Sequence, residues 1–303
     1  MSHYYAHGKL LLSGEYVVLH GATALALPTL QGQSLKVQPA GGASFRWTAL
    51  EQDGRPWLQA SFDPEFLNLL DADDIRKAKV IQSMLRTARQ LNRDFGQQLG
   101  ATQAITQLHF DKDWGLGSSS SLVGLIAQWA QVDPFALFDR HLTGSGYDVA
   151  CAMQEKPLLY QRKGANRSWQ SIEFKPTFRD RLRFVYLGHK QYSDLEVKQF
   201  MANGTPPQSL IDEVSGISLA LAQADTLDNF AWLLNQHEQL IGNLLQRTPI
   251  GQSHFKGFPG TVKSLGAWGG DFVLTVVPDP EAAEAWLQAH DYTTVLPYDQ
   301  LFP

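Results

Sequence analysis

Asp113-Trp114-Gly115-Leu116-Gly117-Ser118-Ser119-Ser120-Ser121 is the stretch whose reading decides the fold. A strand-like run, residues 104–110, leads into it. An apolar helical run, residues 122–132, leads out, with Leu122, Leu125, Ile126 and Trp129 spaced to cover one face. Glycine lets a backbone pass close to a ligand and take positive φ. The serines fall where the first turn of a helix leaves its N–H groups unpaired. Those groups, the helix dipole and several hydroxyls suit an anion, and a phosphate best. The same residues also read as a plain Ser/Gly loop with an N-cap serine. No lysine follows Gly117, so the stretch is not a Walker loop. Gly-x-Ser-x-Gly is absent from it, so it is not a nucleophile elbow either.

The chain around it has 303 residues, a formal net charge of −5 and one cysteine, Cys151. A single core rarely serves much beyond roughly 250 residues, so two domains are expected. Lys175-Pro176-Thr177 is the candidate boundary, giving residues 1–177 and 178–303. The acidic balance argues against a nucleic-acid or anionic-membrane partner. An anionic substrate would need a local basic patch. One cysteine allows no internal disulfide, and a reducing cytoplasm fits. Met1-Ser2-His3-Tyr4-Tyr5 lacks the basic flank and apolar core of a secretory signal. No apolar run reaches the length of a membrane span.

Residues 8–21 read as two short strands around a break at Gly14, with Lys9 and Glu15 as unexpected charges. Residues 33–62 read as further strands with a hairpin turn at Asp53-Gly54. Residues 74–92 follow a helical spacing through Val80, Ile81, Met84, Leu85, Ala88 and Leu91. Asp133-Pro134 opens a short helix ending near His141. A second glycine loop, Gly144-Ser145-Gly146-Tyr147-Asp148-Val149-Ala150, either aims Asp148 into a cleft or uses it as a helix N-cap.

Residues 156–176 alternate around a hairpin tip at Gly164-Ala165-Asn166. A strand at 182–187 and helices near 208–224 and 228–247 follow; His237 reads as a helix-face residue. The third glycine cluster is Lys263-Ser264-Leu265-Gly266-Ala267-Trp268-Gly269-Gly270-Asp271, leading into a strand at 272–277. Asp279-Pro280-Glu281 starts a last helix, and residues 292–296 can close a sheet. Periodicity therefore predicts two mixed α+β domains.

Four of these segments, in order over residues 8–271, resemble the motifs of the GHMP small-molecule kinases. Gly8-Lys9-Leu10 with Gly14-Glu15-Tyr16 is similar to the opening motif of the phosphomevalonate branch. The serine loop is similar to Gly-Leu-Gly-Ser-Ser-Ala, and the Asp148 loop to Ser-Gly-x-Asp-x-Ala. The third cluster is similar to Lys-x-x-Gly-Ala-Gly-Gly-Gly-Asp. Gly146-Tyr147-Asp148-Val149-Ala150 also resembles a bacterial subgroup marked by Gly-Tyr-Asp-Ile-Ala. The resemblance implies a two-domain α+β fold, with an N-terminal α+β domain and a ferredoxin-like C-terminal domain.

It also implies ATP and Mg²⁺ as cofactors and phosphorylation of a small acceptor, mevalonate or phosphomevalonate foremost. Gly115, Leu116, Gly117, Ser118, Ser119, Ser120 and Ser121 would hold the nucleotide phosphates, and Ser119 would offer its hydroxyl to Mg²⁺. Relatives supply a carboxylate upstream of the Asp loop; here Asp139 is the nearest candidate, slightly displaced. Asp148 would take the proton of the acceptor hydroxyl, or orient that hydroxyl while the proton moves late, with Lys9 as the nearby cation. Glu15 and Tyr16 would shape the acceptor site or brace the loop. Gly266 and Ala267 would contact nucleotide or acceptor, and Lys112, Lys190 and Lys263 could bind an anionic acceptor. Trp268 stands where most relatives carry glycine. The rival readings are a diphosphomevalonate decarboxylase, a ligand sensor on a kinase fold and a serine hydrolase. The last fails for want of an elbow and a His partner. The resemblance leaves room for a homodimer.

Overall fold

The computed structural model describes residues 1–96, 99–189, 193–268 and 270–302. In chain order it runs β1 (Ser2–Ser13), β2 (Ala24–Pro39), β3 (Phe45–Leu50), β4 (Pro56–Phe62), β5 (Leu69–Ala72), α1 (Ile75–Leu91) and β6 (Thr102–Leu108). Next come α2 (Ser118–Ala130), α3 (Pro134–His141), α4 (Tyr147–Ala152), β7 (Leu158–Lys163), β8 (Asn166–Ser171) and β9 (Leu182–Tyr186). The remainder is α5 (Ser193–Ala202), α6 (Gln208–Ala222), α7 (Leu227–Leu245), β10 (Thr261–Ser264), β11 (Phe272–Val276), α8 (Pro280–Ala289), β12 (Val295–Pro297) and α9 (Tyr298–Leu301). The chain forms two compact units, and they interleave along the sequence. One comprises Met1–Gly8, Gln31–Lys112 and Leu116–Met153; the other comprises Lys9–Leu30, Asp113–Gly115 and Gln154–Pro303.

In the first unit the strands β5, β4, β3 and β6 lie side by side, and β6 pairs with the C-terminal part of β2 from Gln33↔Leu108 to Pro39↔Thr102. All these pairs are antiparallel except β3 with β6, whose connection runs through α1. The turn between β3 and β4 is the expected one, closed by Gly54 N–H donating to Glu51 O with Gly54 at φ +83°. Alternation puts Phe45, Trp47, Leu58 and Phe62 on the inner face, where Phe45 and Phe62 stack at 6.0 Å. The helices cover that face with Ile81, Met84 and Leu85 from α1 and Val123, Leu125 and Ile126 from α2. Val80, counted above on the apolar stripe of α1, is half exposed. Asp74 and Asp133 cap α1 and α3, their carboxylates accepting from first-turn amides.

In the second unit the N-terminal part of β2 pairs with β7 (Ala24↔Tyr160 to Ala26↔Leu158), and β7 with β8 forms the expected hairpin. A separate four-stranded antiparallel sheet has the order β10-β11-β9-β12. With helices after β9 and after β11, that order is the split βαβ arrangement of a ferredoxin-like layer. Two local expectations change. Beyond Gly14, at φ +92°, there is no second strand but a single 3-10 turn, Val17–His20. A Cβ at Gly14 would lie 2.6 Å from that of Ala24, so the chain turns through a gap only glycine fits. Lys263 and Ser264, placed above at the head of the third glycine cluster, close β10 against β11 through Lys263↔Leu274 and Ser264↔Val273.

Candidate functional site

The glycine-serine loop opens α2. Gly117 caps α2 at φ +89°, and the first intrahelical bond to reach back is Ser121 N–H to Gly117 O at 2.9 Å. The amides of Ser118, Ser119 and Ser120 therefore open the helix without helical acceptors. The serine hydroxyls divide. Ser120 Oγ donates to Gly117 O at 2.9 Å, and Ser121 Oγ donates to Gln33 Oε1 at 2.8 Å, both side chains being buried. Their hydroxyls shape the turn and face away from solvent, and the Leu116 side chain is likewise buried. Ser118 is half-buried and Ser119 exposed. An oxyanion would meet three amides and the hydroxyls of Ser118 and Ser119, a smaller donor set than four serines suggested.

The entry to that loop, residues 113–115, belongs to the second unit. Lys9 Nζ donates to Gly115 O at 2.8 Å, Tyr186 Oη donates to Asp113 O at 3.1 Å, and Trp114 meets Phe272 edge-on at 5.7 Å. Gly115, at φ +65°, lies so close to Asp271 that an added Cβ would stand 2.7 Å from Asp271 Oδ1 and nearer still to its Cγ and Oδ2. Asp271 is itself at φ +54°, in the left-handed region that Asp tolerates better than most residues.

Asp148 sits in the first turn of α4, half-buried, with Oδ1 accepting from Val149 N–H at 3.0 Å. The cap of that helix is Gly146, at φ +88°, so Asp148 is not the N-cap residue. Asp139 is exposed near the end of α3. Among the described residues no group of three or more His, Cys, Asp or Glu side chains is placed to hold a metal. Lys112 is exposed and pairs with Glu51 at 2.6 Å. Lys190 lies outside the described residues.

Four of the residues read as binding the acceptor or bracing the loop, Glu15, Tyr16, Lys263 and Ala267, are buried. Lys263 is 0% exposed and Glu15 1%, and their side chains meet at 2.5 Å. Lys263 Nζ also donates to Ser264 O at 2.7 Å. Tyr16 is buried, its hydroxyl accepting from Trp268 N–H at 3.2 Å, and burial pushes its pKa up to about 12. Buried against Glu15, Lys263 cannot meet an anionic acceptor without breaking a desolvated pair. Ala267 is buried, and Gly266, at φ +63°, is half-buried. Trp268 turns inward among Tyr16, Val17, Phe200 and Ile241, which answers where an indole fits in a glycine loop.

His237, read above as a helix-face residue, and Glu238, which the sequence pattern did not single out, are both buried on α7. Gly14 N–H donates to His237 Nε2 at 2.8 Å, so this ring's proton is on Nδ1. Nε2 is then an acceptor, and its 3.3 Å approach to Glu15 Oε2 is not an ion pair. Burial, aided by Lys263, holds the His237 pKa well below its ordinary value. Burial also raises the Glu15 pKa, against the pull of Lys263 and of the Gly266 amide. Glu238 accepts from Ser264 N–H at 3.1 Å and Ser264 Oγ at 2.9 Å, while burial lifts its pKa to about 7. Positions 233, 234, 237, 238 and 241 form one helical stripe, so two ionisable residues on an apolar face were the available signal.

Comparison with protein-family models and with curated protein sequences finds no match. Solved structures do match. The phosphomevalonate kinase of Streptococcus pneumoniae, in complex with phosphomevalonate and AMPPNP, superposes with a TM-score of 0.73 at 19% identity, over 98% of this chain and 100% of that one. The mevalonate kinase of L. major in complex with R-mevalonate gives 0.66 at 18%, over 98% and 95%. The galactokinase of Lactococcus lactis complexed with galactose gives 0.64 at 12%, over 97% and 92%. The chain thus has the α+β, two-sheet fold of GHMP kinases along nearly its whole length. No helix among the described residues is long and apolar enough to cross a membrane.

Proposed function

We propose that this chain is an ATP-dependent small-molecule kinase that phosphorylates a hydroxyl or phosphate of a small anionic acceptor. One observation carries the reading. The opening of α2 presents three amides behind a positive-φ glycine, in the same unit as a carboxylate in the first turn of α4. Phosphoryl transfer asks mainly for positioning and charge neutralisation. The amides of Ser118, Ser119 and Ser120 would bind the nucleotide phosphates. Mg²⁺, when bound, neutralises charge developing on those phosphates, and Ser119 Oγ would be its protein ligand. Asp139, exposed on α3, is retained as a candidate second oxygen. Asp148 would accept the proton of the acceptor hydroxyl or orient it. Lys9, tied to Gly115 O, would keep a positive charge beside the loop.

Mevalonate or phosphomevalonate is the favoured acceptor, on the likeness of Gly14-Glu15-Tyr16 and Gly270-Asp271 to that branch and on the fold shared with the two kinases above. With Lys263 turned inward, recognition of an anionic group falls to other cations, Lys112 and Lys190 among them. The test is ADP release with mevalonate, phosphomevalonate, homoserine and simple sugars, with CO₂ measured in parallel. ADP with one acceptor and no CO₂ supports the reading. CO₂ in step with ADP would make the chain a decarboxylase. Nucleotide binding without ADP release from any acceptor would make it a sensor.

A further inference from the structure

Burying a carboxylate and an ammonium at 1% and 0% exposure is an expensive way to fill space. A well-packed apolar pair of similar volume is usually as stable or more so, and the best-attested use of a buried pair is to specify one arrangement. What Glu15 and Lys263 specify can be read from their neighbours. Glu15 and Tyr16 follow the Gly14 turn, which is fixed by the gap at Ala24 and by the Gly14 N–H bond to His237. From that anchored point two successive side chains reach the third glycine segment. Glu15 takes the Lys263 ammonium at 2.5 Å, and Tyr16 takes the Trp268 amide at 3.2 Å. Glu238, one residue beyond His237, takes both the amide and the hydroxyl of Ser264. Residues 263–268 are thereby gripped at three points. Within them Leu265 N–H donates to Phe272 O at 3.2 Å, beside Asp271, whose carboxylate rests on Gly115, the residue whose carbonyl Lys9 holds.

We propose that Glu15 and Lys263 are positioning residues: their buried pair sets the shape of the third glycine segment, and through Asp271 the segment sets the backbone of the phosphate-binding loop at Gly115. The part concerning phosphate binding rests on the kinase reading above. The pair does not touch substrate. A merely structural pair would be replaceable by apolar side chains without functional loss; a positioning pair would not.

The test compares Glu15→Gln, Lys263→Met and the double variant Glu15→Met/Lys263→Met with the unaltered chain. Three readouts are taken: the unfolding midpoint, amide hydrogen exchange over residues 263–268, and the Kd of a fluorescent non-hydrolysable ATP analogue. Lys263→Met strands a buried carboxylate and lowers the midpoint, while the double variant recovers it. Positioning predicts that the recovered double variant still exchanges its 263–268 amides about tenfold faster or more, with α7 protection kept, and binds the analogue about tenfold more weakly. A double variant with unaltered exchange and unaltered Kd overturns the proposal. If the double variant does not fold, Glu15→Gln keeps the shape and decides by the same exchange readout. If the unaltered chain binds no nucleotide, the kinase reading falls, and exchange alone still decides whether the pair shapes the segment.

Discussion

Replacing Gly115 with alanine tests the contact on which the loop's geometry turns. Two costs add. The residue is at φ +65°, where an L side chain loses roughly 1–2 kcal/mol relative to the right-handed region. The new methyl would also stand 2.7 Å from Asp271 Oδ1 and nearer to Cγ, far inside contact distance. Asp271 has little freedom to yield, since its N–H donates to His189 O at 2.9 Å and its carbonyl accepts from Leu187 N–H at 2.8 Å. Overpacking of that kind typically costs about 1–3 kcal/mol. The sum for Gly115→Ala is therefore about 2–5 kcal/mol. Asp271→Gly removes the obstacle and accepts the positive φ of position 271 at no steric cost. In the double variant the steric part disappears while the backbone part stays. Urea unfolding of the four proteins should give a favourable coupling of about 1–3 kcal/mol between the two substitutions. A Gly115→Ala protein within about 0.5 kcal/mol of the original, or a coupling near zero, would refute the packing of Asp271 on Gly115.

Asp148→Asn should lower kcat by a factor of about 10²–10⁴ and leave binding of an ATP analogue intact, and undiminished ADP release in a folded variant would remove Asp148 from the chemistry. The serines should separate: Ser121→Ala, which leaves Gln33 Oε1 without its donor, should cost roughly 1–3 kcal/mol in unfolding free energy. Ser119→Ala should change stability by less than about 0.5 kcal/mol yet raise the Mg²⁺ concentration needed for half-maximal turnover; equal effects at the two positions would contradict the division of hydroxyls. Glu238 gives a pH test. Its folded pKa of about 7 lies above the ordinary 4.5, so the folded protein keeps a proton that the unfolded chain releases. That contribution is complete below pH 4.5 and is lost as pH rises through 7, to the extent of roughly 3 kcal/mol. An amide side chain does not titrate, so the difference in unfolding free energy should move in favour of the Glu238→Gln variant between pH 5 and pH 8 by that order. His237, present in both proteins, cancels from the difference; a flat difference would place the Glu238 pKa near its ordinary value.

Much of the fold was legible because its signals are local. Asp74, Asp133 and Asp279 accept from first-turn amides of the helices they precede, and Asp53-Gly54 and Gly164 turn two hairpins. What failed to show was set by distant partners. Residues 16–20 carry a strand-like composition, yet Gly14 turns the chain and Glu15 and Tyr16 are claimed by Lys263 and Trp268, some 250 positions away. The interleaving of the two units has the same cause. Residues 9–30 and 113–115 group with the C-terminal part through pairings such as Ala24↔Tyr160 and Tyr186 with Asp113, which no local window contains.

The candidate site divides along the same line. Backbone roles follow from residue type, so Gly115 and Gly117 at positive φ and the opening amides of α2 could be expected from glycine and helix geometry alone. Side-chain roles depend on what each group meets. Four consecutive serines look alike to a backbone argument; Gln33 draws Ser121 inward and Gly117 O draws Ser120, while Ser118 and Ser119 stay less buried. Of the three lysines read as anion binders, Lys112 stands first in sequence because it abuts the serine loop, and a carboxylate 248 residues away holds Lys263 in the interior. The exception is instructive. His237 and Glu238 occupy an apolar helical stripe where ionisable residues are costly, and such residues persist only when something pairs with them. Two adjacent ionisable residues at the periodicity of a core face therefore predict a buried polar network from sequence alone, and here they mark the anchor of the third glycine segment.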